Sequence, residues 1–229
     1  MKARLVSFHD LCPDVRHFVF EVPELERLDF QPGQFVSFVR EIEGRNITRP
    51  YSIASLPNGS NRFELCLNLV REGRLSPVLF AMRTGEELEM KGPLGVFTLR
   101  HPDRESVFVA TGTGVAPFRS ILLAHAPKLT VPLTLILGTR YEPNLLYRAE
   151  FEGLAARCPN FRFLPVLSRP EPSWGGLTGH VQPHMLEEIG ERRDLDVYLC
   201  GLKLMVDEAR ALLKERGFDR KQILFEKYD

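Results

Sequence analysis

With 229 residues, 44% of them hydrophobic and 26% charged, the chain has enough apolar material for one large globular domain or two modest ones. Its 30 Lys+Arg balance its 30 Asp+Glu, which argues against a nucleic-acid binder and leaves only a local basic patch for a small acidic partner. No stretch approaches the roughly 20 apolar residues that span a bilayer and residues 1–10 lack a signal-peptide core, so no membrane span and a cytoplasmic location are expected.

Residues 2–100 hold short apolar runs broken by Gly and Pro, at 16–22, 34–39, 62–70 and 87–91. Several alternate with period two, the pattern of strands with one buried face. Turn signals stand at Gln31-Pro-Gly33, Pro57-Asn-Gly59 and Thr84-Gly85. The pattern predicts an antiparallel β-barrel of about six strands, with a loop over 41–48 and one helix inserted at 76–83.

After the polar bridge at 101–105 the texture changes. Apolar strand-like runs at 107–110, 133–137, 161–167 and 196–200 alternate with helical patterns at 118–125, 147–157, 182–188 and 204–216. That alternation predicts an α/β domain with a doubly wound parallel sheet, closed by a short strand at 223–225. The domains are therefore expected at 1–100 and 101–229.

Four places could carry chemistry. Thr111-Gly-Thr-Gly-Val-Ala-Pro117 joins a strand to a helix, and Gly112 and Gly114 would let the backbone approach a bulky anion, although a plain connection would look the same. Arg49-Pro-Tyr-Ser52 offers a guanidinium for a pyrophosphate, a ring for stacking and a hydroxyl, or else an exposed Arg beside a core Tyr. Gly73-Arg-Leu-Ser-Pro77 puts Ser76 at the N-cap and Pro77 at N1 of the inserted helix, a phosphate candidate or a simple cap. Cys200 ends a predicted parallel strand, where a small core residue and a ligand-facing one are both reasonable. The other cysteines, Cys12, Cys66 and Cys158, are scattered without zinc or iron–sulfur spacing, so reduced thiols and no metal site are expected.

Taken together the motifs resemble those of the ferredoxin/flavodoxin–NADP reductase family, in its short bacterial class that contains FAD. Arg49-x-Tyr51-Ser52, Gly73-Arg-Leu-Ser-Pro77, Gly92-Pro-Leu-Gly95, Thr111-Gly-Thr-Gly-Val-Ala-Pro117, Cys200-Gly201 and Phe225-Glu-Lys-Tyr228 occur in the family's order from end to end. The resemblance implies that Arg49, Pro50, Tyr51 and Ser52 bind FAD, with Tyr51 stacked on the isoalloxazine and Ser52 near its reactive N5. It implies FAD phosphate contacts from Arg74, Leu75 and Ser76, and an approach to the flavin by Thr113. Tyr228 would stack on the opposite flavin face and move aside for the nicotinamide, with Glu226 nearby and Asp229 at the adenine end. Bacterial relatives often place a tryptophan after that tyrosine, and Asp229 departs from this.

For NADP(H) the resemblance implies Gly112, Thr139, Arg140, Ser168, Arg169, His180, Cys200, Gly201 and Met205. Ser168 and Arg169 would grip the 2′-phosphate, while His180 stands where the class commonly has a second arginine and so narrows the preference for NADPH. The catalytic set would be Ser52, Cys200, Glu226 and Tyr228. The activity implied is hydride transfer between NADPH and FAD and one-electron exchange with ferredoxin or flavodoxin, by a monomer. Two alternatives share the flavin motifs: an NADH-dependent oxygenase reductase component or flavin reductase, and a non-catalytic FAD-binding regulatory subunit.

Overall fold

The computed structural model describes residues 1–228, so the FAD contact expected of Asp229 lies outside the described residues. The chain divides into two compact units, one of Met1–Thr98 with Ala116–Ala124, the other of Leu99–Val115 with the chain from His125 onward.

In the first unit, strands β1 (Lys2–Cys12), β2 (Val15–Glu21), β3 (Phe35–Ile42), β4 (Arg45–Ser52), β5 (Arg62–Asn68) and β6 (Glu87–Leu94) form one six-stranded sheet in the order β4-β3-β6-β1-β2-β5. Every pairing is antiparallel. A bridge between Ile53 and Leu65 joins the two edges of the sheet, which is the closure expected of a barrel. Alternate residues of β2, and Val22 just past it, fill the interior: Phe18, Phe20 and then Val22 are fully buried, and the Phe20 ring lies 5.0 Å from Phe38 and 5.7 Å from Phe63. Each such ring contributes roughly 1.5–3 kcal/mol by leaving water.

Two expectations change here. Residues 41–48 are not a loop: β3 and β4 pair through Ile42 and Arg45, and Glu43 and Gly44 turn the chain with φ of 52° and 71°. Positive φ at both central residues marks a tight hairpin, and Glu-Gly is a weaker sequence signal for it than Asn-Gly. The inserted helix α1 (Ser76–Ala81) stops short of residue 83, because Met82 turns to extended backbone with ψ 144°. Strand β1 stood out little in the sequence because register shifts at Leu5/Ser7 and Asp10/Cys12 interrupt its alternation.

Helix α2 (Val115–His125) contributes its body to this first unit. Ser120 Oγ donates to the Ser55 carbonyl at 2.5 Å, and the Arg119 guanidinium donates to the Ala54 carbonyl at 2.9 Å and to Glu64 at 2.6 Å.

The second unit is built on β7 (Ser106–Thr111), β8 (Leu133–Thr139), β9 (Phe161–Leu167), β10 (Leu177–Thr178), β11 (Asp196–Leu202) and β12 (Ile223–Tyr228), all parallel, in the order β10-β9-β8-β7-β11-β12. Helices α3 (Arg148–Arg157), α4 (Val181–Ile189) and α5 (Lys203–Glu215) cover it. Val107, Val109, Val197 and Leu199 point to one face with Met185, Val206 and Ala209, while Phe108 and Tyr198 stack on the other with centroids 4.8 Å apart. From β7 the strands run outward through β8 and β9, then the chain crosses back to β11 and β12 on the other side. The order therefore reverses beside β7, and open parallel sheets bind ligands at the carboxyl ends next to such a reversal.

Candidate functional site

In the first unit, Arg49 and Tyr51 are two residues apart and share one face of edge strand β4. Pro50 between them costs no ladder bond at an edge. The exposed Arg49 guanidinium donates to its neighbour's carbonyl, Thr48 O, at 2.9 Å and has no carboxylate partner among the described residues. Tyr51 is half-buried with its ring 5.9 Å from Phe38. Burial pushes its hydroxyl up to about 12, against the pull of the nearby Arg49 charge. Ser52 is buried where β4 ends.

The loop from Val70 to Ser76 is fixed from within. Ser76 Oγ accepts the Val70 N–H at 3.0 Å and donates to the Val70 carbonyl at 3.1 Å, while the Gly73 N–H also reaches that carbonyl at 2.8 Å. Ser76 is therefore not the N-cap. It is the first helical residue after Leu75, and its hydroxyl closes the loop. The β1–β2 hairpin braces the same loop from below: the Leu69 N–H meets the Asp14 carbonyl at 2.7 Å and Arg71 meets the Asp14 carboxylate at 2.8 Å. Arg74, by contrast, is exposed with no carboxylate partner among the described residues. Arg49 and Arg74 thus each present an exposed guanidinium without a carboxylate partner among the described residues, and Tyr51 a half-buried ring.

In the second unit, the turn after β7 presses against the end of β11. A Cβ on Gly114 would stand 2.3 Å from the Cys200 carbonyl oxygen. One on Gly201, whose φ is +138°, would stand 2.3 Å from Thr111 Oγ1. Thr111 Oγ1 also accepts the Leu202 N–H at 3.2 Å. Both glycines thus serve backbone apposition. Of the three glycines Gly112, Gly114 and Gly201, it is Gly112, with φ +53° and nothing within 4 Å of a built Cβ, that has the open surroundings expected of a ligand-facing glycine. Thr113 is buried between them.

Strand β12 runs through Tyr228, beyond the expected end at 225, and pairs Cys200 with Glu226 and Leu202 with Tyr228. Cys200, Glu226 and Tyr228 are thereby brought together. Burial pushes the Cys200 thiol well up and the Glu226 charge pushes the same way, while a hydrogen bond from Tyr228 opposes them. Met205 packs into the apolar cluster beneath this end of the sheet.

Past the strand ends, Ser168 N–H meets Thr139 O at 2.9 Å and Arg169 N–H meets Arg140 O at 2.9 Å. This extension of the ladder sets Arg140 beside Arg169, both exposed and without a carboxylate partner among the described residues. Gly179 N–H reaches Leu167 O at 2.8 Å, which brings the exposed His180, the N-cap residue of α4, next to the same edge. Thr139, Arg140, Ser168, Arg169 and His180 therefore form one group.

Further residues hold these loops without standing out as site residues in the sequence: Asp14 under the 70–76 loop, Arg119 on α2, and the contacting pair Arg148 and Trp174. Trp174 is the single tryptophan, followed by Gly-Gly, and Arg119 is the one cation in an apolar helix; both were available signals. Among the described residues no three His, Cys, Asp or Glu side chains gather to hold a metal ion, and no helix is long and apolar enough to cross a membrane.

Residues 2–99 match the oxidoreductase FAD-binding domain family and residues 108–211 the oxidoreductase NAD-binding domain family. Ferredoxin–NADP reductase B of Sorangium cellulosum is 40% identical, over 100% of this chain and 97% of its own length. The anthranilate 1,2-dioxygenase electron transfer component of Acinetobacter baylyi is 31% identical over 89% of this chain, which spans only 60% of that relative. The crystal structure of the Amycolatopsis cytochrome P450 reductase GcoB superposes with a TM-score of 0.86 at 28% identity, covering 99% of this chain and 69% of that one. An antiparallel FAD-binding unit followed by a parallel NAD-binding one, matched at full length by a reductase, places the chain in the ferredoxin–NADP reductase-like family of FAD- and NAD-binding oxidoreductases.

Proposed function

We propose that the protein is a ferredoxin/flavodoxin–NADP reductase: it passes a hydride between NADPH and FAD, and single electrons between FAD and ferredoxin or flavodoxin. The isoalloxazine, when bound, supplies the conversion between two-electron and one-electron chemistry. The chain's own residues bind, orient and shield. Arg49 and Arg74 neutralise the pyrophosphate, Tyr51 offers a ring for stacking and Ser52 a hydroxyl near the reactive edge. The turn at Gly112 and Thr113 admits the nicotinamide end of the nucleotide. Cys200, Glu226 and Tyr228 form the wall there, with Tyr228 the part that yields to the incoming ring.

The observation that carries NADPH over NADH is the pairing of Arg140 with Arg169. Two exposed arginines joined by a backbone bond, with no carboxylate partner among the described residues, suit a phosphate dianion, and a ribose 2′-hydroxyl would leave both uncompensated. The full-length likeness to a ferredoxin–NADP reductase supports the same reading. A second reading, the NADH-dependent reductase of an oxygenase, draws on His180 in place of a further arginine and on the likeness to the dioxygenase component. Anaerobic stopped-flow mixing of the FAD-loaded protein with NADPH and NADH in parallel separates the two. Faster reduction and a lower half-saturation with NADPH are expected; equal behaviour with both nucleotides would favour the oxygenase-type reading.

A further inference from the structure

The loops that carry Arg140 and Arg169 share one anchor, and it is not part of either loop. Arg148 opens α3, just after Tyr147, whose left-handed backbone (φ 56°, ψ 24°) turns the chain sharply into the helix. A left-handed conformation is strained for a non-glycine residue, so the surroundings must hold it in place. From there the Arg148 guanidinium forms an ion pair with Glu142, two residues past Arg140, and another with Glu152 one turn along α3 at 2.7 Å. Its Cζ lies over the ring of Trp174, five residues past Arg169, at 5.5 Å from the centroid. Trp174 is itself tied down. Its indole N–H donates to the Leu177 carbonyl at 3.0 Å, its own N–H meets Glu171 O at 3.0 Å, and a Cβ on Gly176 would come within 2.5 Å of the indole.

We propose that Arg148 and Trp174 clamp the β8–α3 and β9–β10 loops together, so that Arg140 and Arg169 act as one fork on the 2′-phosphate of NADPH. This rests on the NADPH reading given above. Arg148 is not a phosphate ligand, because Glu142 and Glu152 already neutralise it, and Trp174 need touch no part of the nucleotide. Both are positioning residues. The neighbouring backbone bonds, Ser168 to Thr139 and Arg169 to Arg140, fix where the two chains run. The clamp fixes the loops beyond them, where flexible guanidinium side chains would otherwise spread their charges apart.

The test compares binding of adenosine 2′,5′-bisphosphate and AMP, which differ only in the 2′-phosphate, to the FAD-loaded full chain by calorimetry. Wild-type protein binds the bisphosphate more tightly. Arg148→Ala and Trp174→Leu lower bisphosphate affinity by about tenfold, the scale of one charge-assisted contact, with AMP affinity held within about twofold. Trp174→Phe, which keeps a flat ring over Arg148, restores most of the loss. Glu142→Gln, an exposed and nearly isosteric change, gives an intermediate loss and guards against misfolding of the other variants. Bisphosphate and AMP affinities that fall in parallel, or that stay at wild-type values in Arg148→Ala and Trp174→Leu, would overturn the clamp and leave the NADPH reading standing. Wild-type protein that binds both ligands equally would overturn the two together.

Discussion

Gly114→Ala is the substitution whose consequence the structure dictates most directly. The added Cβ would lie 2.3 Å from the Cys200 carbonyl oxygen, 2.6 Å from its carbon and 2.7 Å from the Gly201 Cα, all backbone atoms of β11 that no rotamer change can move. A comfortable carbon–oxygen approach is about 3.3 Å, so the turn has to retreat by roughly 1 Å. Overpacking of this kind costs about 1–3 kcal/mol, or about 2–12 °C in melting temperature for a chain of this size. Thr113 sits one residue away, and a misplacement of about 1 Å at reacting groups can cost on the order of a hundredfold in rate. The predicted result is a protein that keeps its FAD, since Arg49 and Arg74 are untouched, melts lower, and is reduced by NADPH about a hundredfold more slowly. Gly112→Ala is the control for stability alone: its Cβ meets no protein atom within 4 Å, so its melting temperature should fall only by the left-handed backbone cost at φ +53°. Thermal melting, flavin absorbance after gel filtration and stopped-flow reduction read the three quantities. Wild-type reduction in Gly114→Ala would refute the argument that this turn is set by its contact with β11.

Other consequences follow from single residues. Arg49→Ala should weaken FAD binding about tenfold to a hundredfold, measured by flavin retained on dialysis, because it removes a guanidinium that has no carboxylate partner among the described residues. Burial holds the His17 imidazole down at about 4, with the Glu64 carboxylate opposing and Arg119 and His9 adding to the effect. The unfolded chain takes up that proton first, so stability is complete above about pH 6.5 and falls by up to about 3 kcal/mol as pH drops toward 4. His17→Phe should flatten the part of the melting-temperature profile between pH 7 and pH 5 that this proton controls. Tyr228→Ala removes the hydrogen bond to the buried Cys200 thiol and should open that thiol to labelling reagents while lowering the half-saturation for NADPH. An unlabelled Cys200 in that variant would show that Tyr228 is only the end of a sheet edge.

Most of this architecture was legible in the residues because its signals are local. Period-two alternation in β2 and β5, and unbroken apolar runs in β7, β8 and β11, follow directly from one-sided and two-sided burial. What stayed hidden depends on contacts distant in sequence. Gly114 reads like a ligand-facing glycine until the Cys200 carbonyl is seen against it, and Ser76 reads like a cap until its hydroxyl is found closing the loop on Val70. The β3–β4 hairpin was missed because Glu43 takes a positive φ that its residue type rarely adopts. Tyr228 stood apart from the closing strand in sequence because Glu226 and Lys227 interrupt the apolar run, yet β12 carries all three in parallel register with β11. Arg148 and Trp174 could not be paired from the sequence at all, since nothing in their spacing joins the two loops.

At the centre of the proposed function is the conversion of a two-electron donor into single-electron output to a protein carrier. Its most direct measurement is anaerobic stopped-flow mixing of NADPH-reduced protein with oxidised ferredoxin or flavodoxin, following the carrier's own absorbance. The account predicts carrier reduction that is saturable, dependent on bound FAD and faster than transfer to free flavin. A reduced protein that passes no electrons to either carrier, while reducing free flavin or an oxygenase component readily, would contradict it.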